Sequence, residues 1–129
     1  MGFLTGKKFL ITGISSNRSI AYGILSYNNE RFKERVQGFA DEFGAGQVIK
    51  LDASSDESID LAALELANRW TDGFDGFVHS IGWAPRESIS GSFLEGASRE
   101  GFLSAMNVSV YSYIAMAKRM VPLMAGHKA

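Results

Sequence analysis

The 129 residues suffice for one domain at most, and 46% hydrophobic with 12% aromatic residues supply a packed core rather than a disordered chain. The net charge of −1, with both signs scattered, excludes the basic runs that mark nucleic acid or an anionic membrane as partner. Without cysteine, and with only His79 and His127, neither a disulfide framework, a thiolate zinc centre nor a histidine-rich metal site is expected.

The N-terminus lacks the apolar stretch of a signal peptide, and no run approaches the roughly 18 apolar residues of a membrane span, so a soluble, cytoplasmic protein is expected. Residues 8–12 read as a buried strand ending in Thr12-Gly13. A small polar loop then leads into a helical pattern near Ser19. A glycine at a strand end lets the backbone turn sharply, and the free N–H groups of a following helix start offer a positive dipole end to a phosphate. The spacing departs from Gly-x-Gly-x-x-Gly, because Gly13 is the only glycine before Gly23. An ordinary strand-to-helix turn capped by Ser19 fits the same residues.

Phe32, Val36, Phe39 and Phe43 share one helical face, and Gly44 is the natural stop. Residues 47–51 form a second strand-like run closed by Asp52-Ala53. A carboxylate at that edge can accept from an adenine amine, or it can be a solvated turn residue. Ser54 or Ser55 caps the next helix, with Asp56 and Glu57 in its first turn and Ile59, Leu64 and Leu66 as apolar positions. Residues 74–81 read as a third strand, nearly continuous in apolar residues, as expected when both faces of a parallel sheet are covered.

Gly82 ends that strand at the same sheet edge as Gly13, where open α/β sheets hold their ligands. His79 fits either a base or, inside so apolar a run, a satisfied core histidine. Residues 82–96, rich in Gly, Ser and Pro, form a long connection and a candidate active-site loop. Trp83-Ala84-Pro85 at its start suits an apolar substrate chain, or simply covers the sheet edge. Ser98 caps the last and longest helix, with Phe102, Met106, Val110, Tyr113, Ile114, Ala117 and Val121 as its apolar stripe and Asn107, Ser109, Ser112 and Lys118 on its polar face. Tyr111 and Tyr113 are either phenols for chemistry or core rings. Strand alternating with helix gives an α/β fold with a parallel, doubly wound sheet and right-handed crossovers.

Taken together, several segments closely resemble one family. Gly2-Phe3-Leu4-x-Gly6-Lys7, Thr12-Gly13 with Ser19-Ile20-Ala21-Tyr22-Gly23, Phe74-Asp75-Gly76-Phe77-Val78-His79-Ser80-Ile81-Gly82 with Ala84-Pro85, and Arg99-Glu100-Gly101-Phe102 with Tyr111-Ser112-Tyr113 carry the likeness. They are similar to the bacterial NADH-dependent enoyl-acyl-carrier-protein reductases of the short-chain dehydrogenase/reductase superfamily. That resemblance implies a Rossmann-like domain over residues 1–129 and reduction of the 2,3 double bond of an acyl-carrier-protein-linked chain in fatty acid synthesis. It also implies NADH (NAD) as cofactor, a homotetramer and a cytoplasmic location. Gly13 with Ser19 and Ile20 matches the pyrophosphate turn, and Asp52 with Ala53 the adenine pocket. Ile81 with Gly82 matches the ribose and nicotinamide side, and Ala84 a backbone position lining the substrate pocket. Asn28 falls where NADH-preferring members have glutamine beside the adenosine ribose, a shorter amide that leaves the choice between NADH and NADPH open.

Two departures from the family pattern matter. The family's reaction uses a Tyr-x6-Lys pair that lies beyond its fourth helix; Tyr111 and Lys118 have the spacing but match the preceding helix, so no catalytic residue is assigned. The stretch Ile24-Leu25-Ser26-Tyr27-Asn28 is also too short to finish the first helix and add a second strand, and roughly a dozen residues are missing by that comparison. The expected sheet is therefore incomplete, lacking its second strand and the C-terminal half. Strands lie ~4.8 Å apart, so one lost strand opens a gap of about 10 Å that the third must close. The 129 residues alone are expected to be inactive, and to aggregate or fold only in part because apolar faces lose their cover. Competing readings are a non-catalytic nucleotide-binding module of the same fold and a short-chain dehydrogenase acting on a sugar or steroid.

Overall fold

The computed structural model describes residues 6–13, 23–124 and 126. Four short parallel strands, β1 (Phe9–Ile11), β2 (Ile24–Tyr27), β3 (Val48–Lys50) and β4 (Gly76–Val78), form one sheet in the order β3-β2-β1-β4. Helix α1 (Lys33–Phe43) links β2 to β3, and α2 (Asp56–Arg69) links β3 to β4. After β4 come two single turns, α3 (Arg86–Ile89) and α4 (Phe93–Gly96). The long terminal helix follows as α5 (Arg99–Met106), a π turn (Asn107–Tyr111) and α6 (Ser112–Met120).

The second strand, expected to be lost, is present. Ile24–Tyr27 is buried along its whole length and pairs with both β1 and β3. Gly23 starts it with φ 142°, and a Cβ there would stand 1.8 Å from the Phe9 carbonyl oxygen. Only glycine lets the chain enter so close to β1. The shortening thus falls on the connection between β1 and β2, residues 12–23, which is near the minimum for joining parallel neighbours. No gap opens, and β3 keeps its place outside β2.

The sheet is covered on both faces. Val36 and Ala40 of α1 pack with Ile11, Leu25 and Tyr27 on one side. On the other, Ile59, Ala62 and Leu66 of α2 and Ala115, Met116 and Met120 of α6 pack with Leu10, Ile24, Ile49, Leu51 and Phe74. Helix α1 stops where expected, at Gly44 with φ 71°, whose N–H reaches the Ala40 and Asp41 carbonyls. Ser55, not Ser54, caps α2, its side chain accepting from the Ser58 N–H. Leu64 faces outward and Ala62 takes the core position instead.

The stripe expected to bury the terminal helix lies largely on its outside. Phe102, Met106, Val110, Tyr113, Ile114 and Val121 are exposed, and the buried face carries Gly101, Ser112, Ala115, Met116 and Met120. The sheet takes up one face of this helix and leaves the apolar stripe on the other uncovered, in line with the expected loss of apolar cover. The expected loop 82–96 is also not structureless, since α3 and α4 occupy much of it.

At the start of the sheet, Asp75 ties β1 to β4. Its carboxylate accepts from the Lys7 ammonium at 2.9 Å and the Lys8 N–H at 2.8 Å, while its own N–H donates to the Lys8 carbonyl at 2.9 Å. The opposite, carboxyl ends of the strands are left open for the site.

Candidate functional site

The strand order places a topological switch at the carboxyl ends of β1 and β4, because the chain leaves β1 toward β2 and returns on its other side as β4. A crevice at such a point is where open α/β sheets bind ligands. A cleft of about 420 Å³ lies there, a volume in the range of small-ligand sites. Its walls include Gly13 after β1, Tyr27 and Asn28 at the end of β2, Arg35 of α1, Leu51 to Ala53 after β3, and Ser80 to Trp83 after β4.

The two exits beside the switch point touch backbone to backbone. Gly13 adopts φ 76°, and a Cβ on it would stand 1.7 Å from the Ser80 carbonyl oxygen. Just before it, buried Thr12 donates through both its N–H (3.1 Å) and its hydroxyl (3.0 Å) to the Val78 carbonyl. The pairing of β1 and β4 therefore runs to the cleft floor and ends in a glycine that leaves main chain, not side chain, facing the cavity.

On the β3 side, the Asp52 Oδ1 accepts from the Ser54 N–H at 2.9 Å and the Ser54 hydroxyl at 2.6 Å. Its N–H donates to the Ser58 hydroxyl at 2.8 Å. Among the described residues no donor reaches the Asp52 Oδ2, so an oriented acceptor remains at the rim. This is the aspartate of a turn and an acceptor at a cleft at once.

His79 follows β4 rather than lying in it, half-buried, with Nε2 2.7 Å from the Ser112 hydroxyl oxygen and its ring edge-on to Tyr113. Ser112 gives its own proton to the Val108 carbonyl (2.6 Å), so its oxygen accepts and His79 Nε2 is the donor. Burial holds the His79 pKa below its ordinary 6.5, opposed by a hydrogen bond with its own backbone. The side chain is satisfied within the fold. Tyr113 packs on Phe77 as well, and neither Tyr111 nor Lys118 borders the cleft.

Of the residues singled out in the sequence, Gly13, Asn28, Asp52, Ala53, Ile81 and Gly82 meet in this one cleft. Ser19 and Ile20 lie outside the described residues. Ala84 is half-buried just past the cleft wall and does not border it. Tyr27, Arg35 and Val108 border the cleft without having been singled out. Tyr27 was hidden because its segment was read as having lost the second strand, which it in fact ends. Arg35 and Val108 reach the cavity only through the packing of α1 and the π turn, which no local pattern encodes.

A family model described as enoyl-(acyl carrier protein) reductase matches residues 13–129. The chain belongs to that family. It is 46% identical to the enoyl-[acyl-carrier-protein] reductase [NADH] of Haemophilus influenzae, covering 95% of this chain and 51% of the relative. It is 44% identical to that of Neisseria meningitidis serogroup B, covering 100% of this chain and 54% of the relative. The latter alignment runs over 141 positions for these 129 residues, so 12 positions have no counterpart here, the dozen expected. Among solved structures, the Aquifex aeolicus enoyl-[acyl-carrier-protein] reductase (NADH) superposes with a TM-score of 0.86 at 37% identity, covering 98% of this chain and 54% of that one. The Anaplasma phagocytophilum reductase in complex with NAD gives 0.83 at 30% identity, with 92% and 49% covered. The chain thus spans about half the length of the relatives it matches, and its fold is the Rossmann-like α/β sheet that the sequence implies, with the second strand kept.

Proposed function

We propose that residues 1–129 are part of a dinucleotide-binding domain whose cleft at the β1–β4 switch point holds NADH. The whole protein is then an enoyl-thioester reductase of fatty acid synthesis, acting on an acyl-carrier-protein-linked substrate. The observation that carries the reading is the meeting of Gly13, Asn28, Asp52, Ala53, Ile81 and Gly82 in one cavity. They come from the exits of all four strands, and the family match and the NAD-bound neighbour support NADH as the ligand of that cavity.

The residues fit the group. The Gly13 exit exposes main chain where a pyrophosphate would pass, with Ser19 and Ile20 following it in sequence. The Asp52 Oδ2 is oriented to accept from the adenine amine beside Ala53, and the Asn28 amide stands at the end of β2, where the adenosine ribose sits in such folds. Ile81 and Gly82 border the opposite end, beside the nicotinamide, and Ala84 lies beyond them toward the acyl substrate. When bound, NADH supplies a hydride for the β-carbon of the enoyl thioester, and a proton at the α-carbon completes the reduction. None of the cleft residues here combines a phenol and an amine in the Tyr-x6-Lys arrangement, so these 129 residues bind the cofactor without turning it over. Assembly into a homotetramer and a cytoplasmic location go with the same reading. No described helix is long and apolar enough to cross a membrane.

Titration of the 129-residue chain with NADH, followed by cofactor fluorescence, tests the binding claim. Saturable binding weakened by Asp52→Ala is expected, and no binding overturns it. Incubation with NADH and crotonyl thioester tests the rest: steady NADH oxidation by this chain alone would contradict the assignment of chemistry to residues outside it.

A further inference from the structure

We infer that Ser109 is a positioning residue for the nicotinamide end of the cleft, acting through the main chain of Trp83. The inference rests on the dinucleotide reading above. One hydroxyl holds both backbone groups of one loop residue: the Trp83 N–H donates to the Ser109 Oγ at 2.9 Å, and the Ser109 hydroxyl donates to the Trp83 carbonyl at 2.9 Å. A hydroxyl, with one proton and two lone pairs, can do this, whereas a methyl or thioether cannot. The residues clamped in this way are not incidental. Ile81, Gly82 and Trp83 form one wall of the cleft, and Val108, the neighbour of Ser109, borders the same cavity.

The clamp depends on an irregularity in the helix. Asn107–Tyr111 is a π turn, closed by the Ser112 N–H on the Asn107 carbonyl five residues back. Such a turn takes in one extra residue and offsets the following side chains by about 100° relative to a continuous α-helix. On that offset face Ser109 and Ser112 stand one turn apart, and each meets the chain leaving β4, Ser112 at His79 and Ser109 at Trp83. The strand exit is therefore pinned twice, below and above Ile81-Gly82, by one helix. The adenine side is ordered separately, with Asp52 held by its own Ser54 turn and by the Ser58 hydroxyl of α2.

The separation of the two ends supplies the test. Ser109→Ala removes the clamp at a half-exposed site where water can take over the freed backbone groups. The melting temperature is therefore expected to move by less than about 3 °C. NADH affinity, measured by fluorescence titration of the full chain, is expected to fall about five- to tenfold, the scale of one or two lost positioning hydrogen bonds. Affinity for 5′-AMP, which occupies only the adenine half, is expected to stay within about twofold, and Ser109→Thr, which keeps the hydroxyl, is expected to restore NADH binding. Equal weakening of NADH and AMP, or unchanged NADH binding in Ser109→Ala, overturns the inference while leaving the dinucleotide reading standing. A wild-type chain that binds neither AMP nor NADH overturns both.

Discussion

Gly13 and Ser80 lie so close that the Ser80 carbonyl oxygen occupies the space a Gly13 side chain would need, 1.7 Å from a Cβ. The contact joins the exits of β1 and β4 at the cleft. It fixes Gly13 for two independent reasons, the close approach and φ 76°, a left-handed conformation that disfavours any residue with a Cβ.

Gly13→Ala must therefore push the two exits apart. The backbone penalty alone is ~1–2 kcal/mol, and the clash with main chain, which cannot swing away, adds to it. We expect a total loss of about 2–4 kcal/mol, read as a lower urea midpoint by circular dichroism. NADH binding should be lost in whatever fraction remains folded. A variant with wild-type stability and affinity would show that the exits have room the geometry denies them.

Asp75 does the equivalent work at the other end of the same strand pair. Buried beneath the Lys7 ammonium and the Lys8 N–H, its carboxylate makes charge-assisted bonds that hold the start of β1 on β4. Asp75→Asn keeps the size but removes the charge and turns an NH2 donor toward one of the two donors that the carboxylate faces. Chemical denaturation should show a loss of about 1–3 kcal/mol, with NADH affinity per folded molecule unchanged because the cleft lies at the opposite strand ends. Loss of affinity without loss of stability would contradict that separation.

The pH dependence of stability follows from His79. Burial lowers its pKa below 6.5, so below that pH the unfolded chain binds more protons than the folded one. The contribution of His79 is intact above about pH 6.5 and declines as the pH drops below it. Thermal melts between pH 7.5 and 5.5 should fall in temperature on the acid side, and His79→Gln, which keeps an N–H donor for Ser112, should flatten that fall. An NMR titration placing the His79 pKa above 6.5 would reverse the expected sign.

Much of the fold was legible because it is written in local chemistry. Gly44 ends α1, Ser55 starts α2, Ser98 starts α5, and each acts within one turn of its own position. Gly13 was likewise visible as the glycine closing β1, whereas Gly82, read as the end of the third strand, lies four residues past β4. The second strand was misread for an instructive reason. Ile24–Tyr27 is four apolar or small residues bounded by Gly23 and Asn28-Asn29, itself a fair signature of a buried strand. Comparison with longer relatives made the segment look too short to finish a helix and add a strand, although the chain had shortened its crossover and kept the strand. The clamp of Ser109 on Trp83 had no local signature, because it joins residues 26 apart through a π turn.

The outer face of the terminal helix carries the remaining prediction. Phe102 (64% exposed), Leu103, Ile114 and Val121 lie open on it, and Ile89, Phe93 (76%) and Leu94 (84%) are open on α3 and α4 nearby in sequence. Burying such side chains is worth ~25 cal/mol per Å², which favours association of any two copies that bring these faces together. We expect concentration-dependent association by light scattering and binding of a hydrophobic dye at neutral pH. The paired substitutions Phe93→Glu and Phe102→Glu touch no core residue, so they should reduce both signals while leaving the melting temperature within about 3 °C. A wild-type chain that stays monomeric at high concentration and melts sharply, without binding dye, would show that the exposed faces are tolerated in water as they stand.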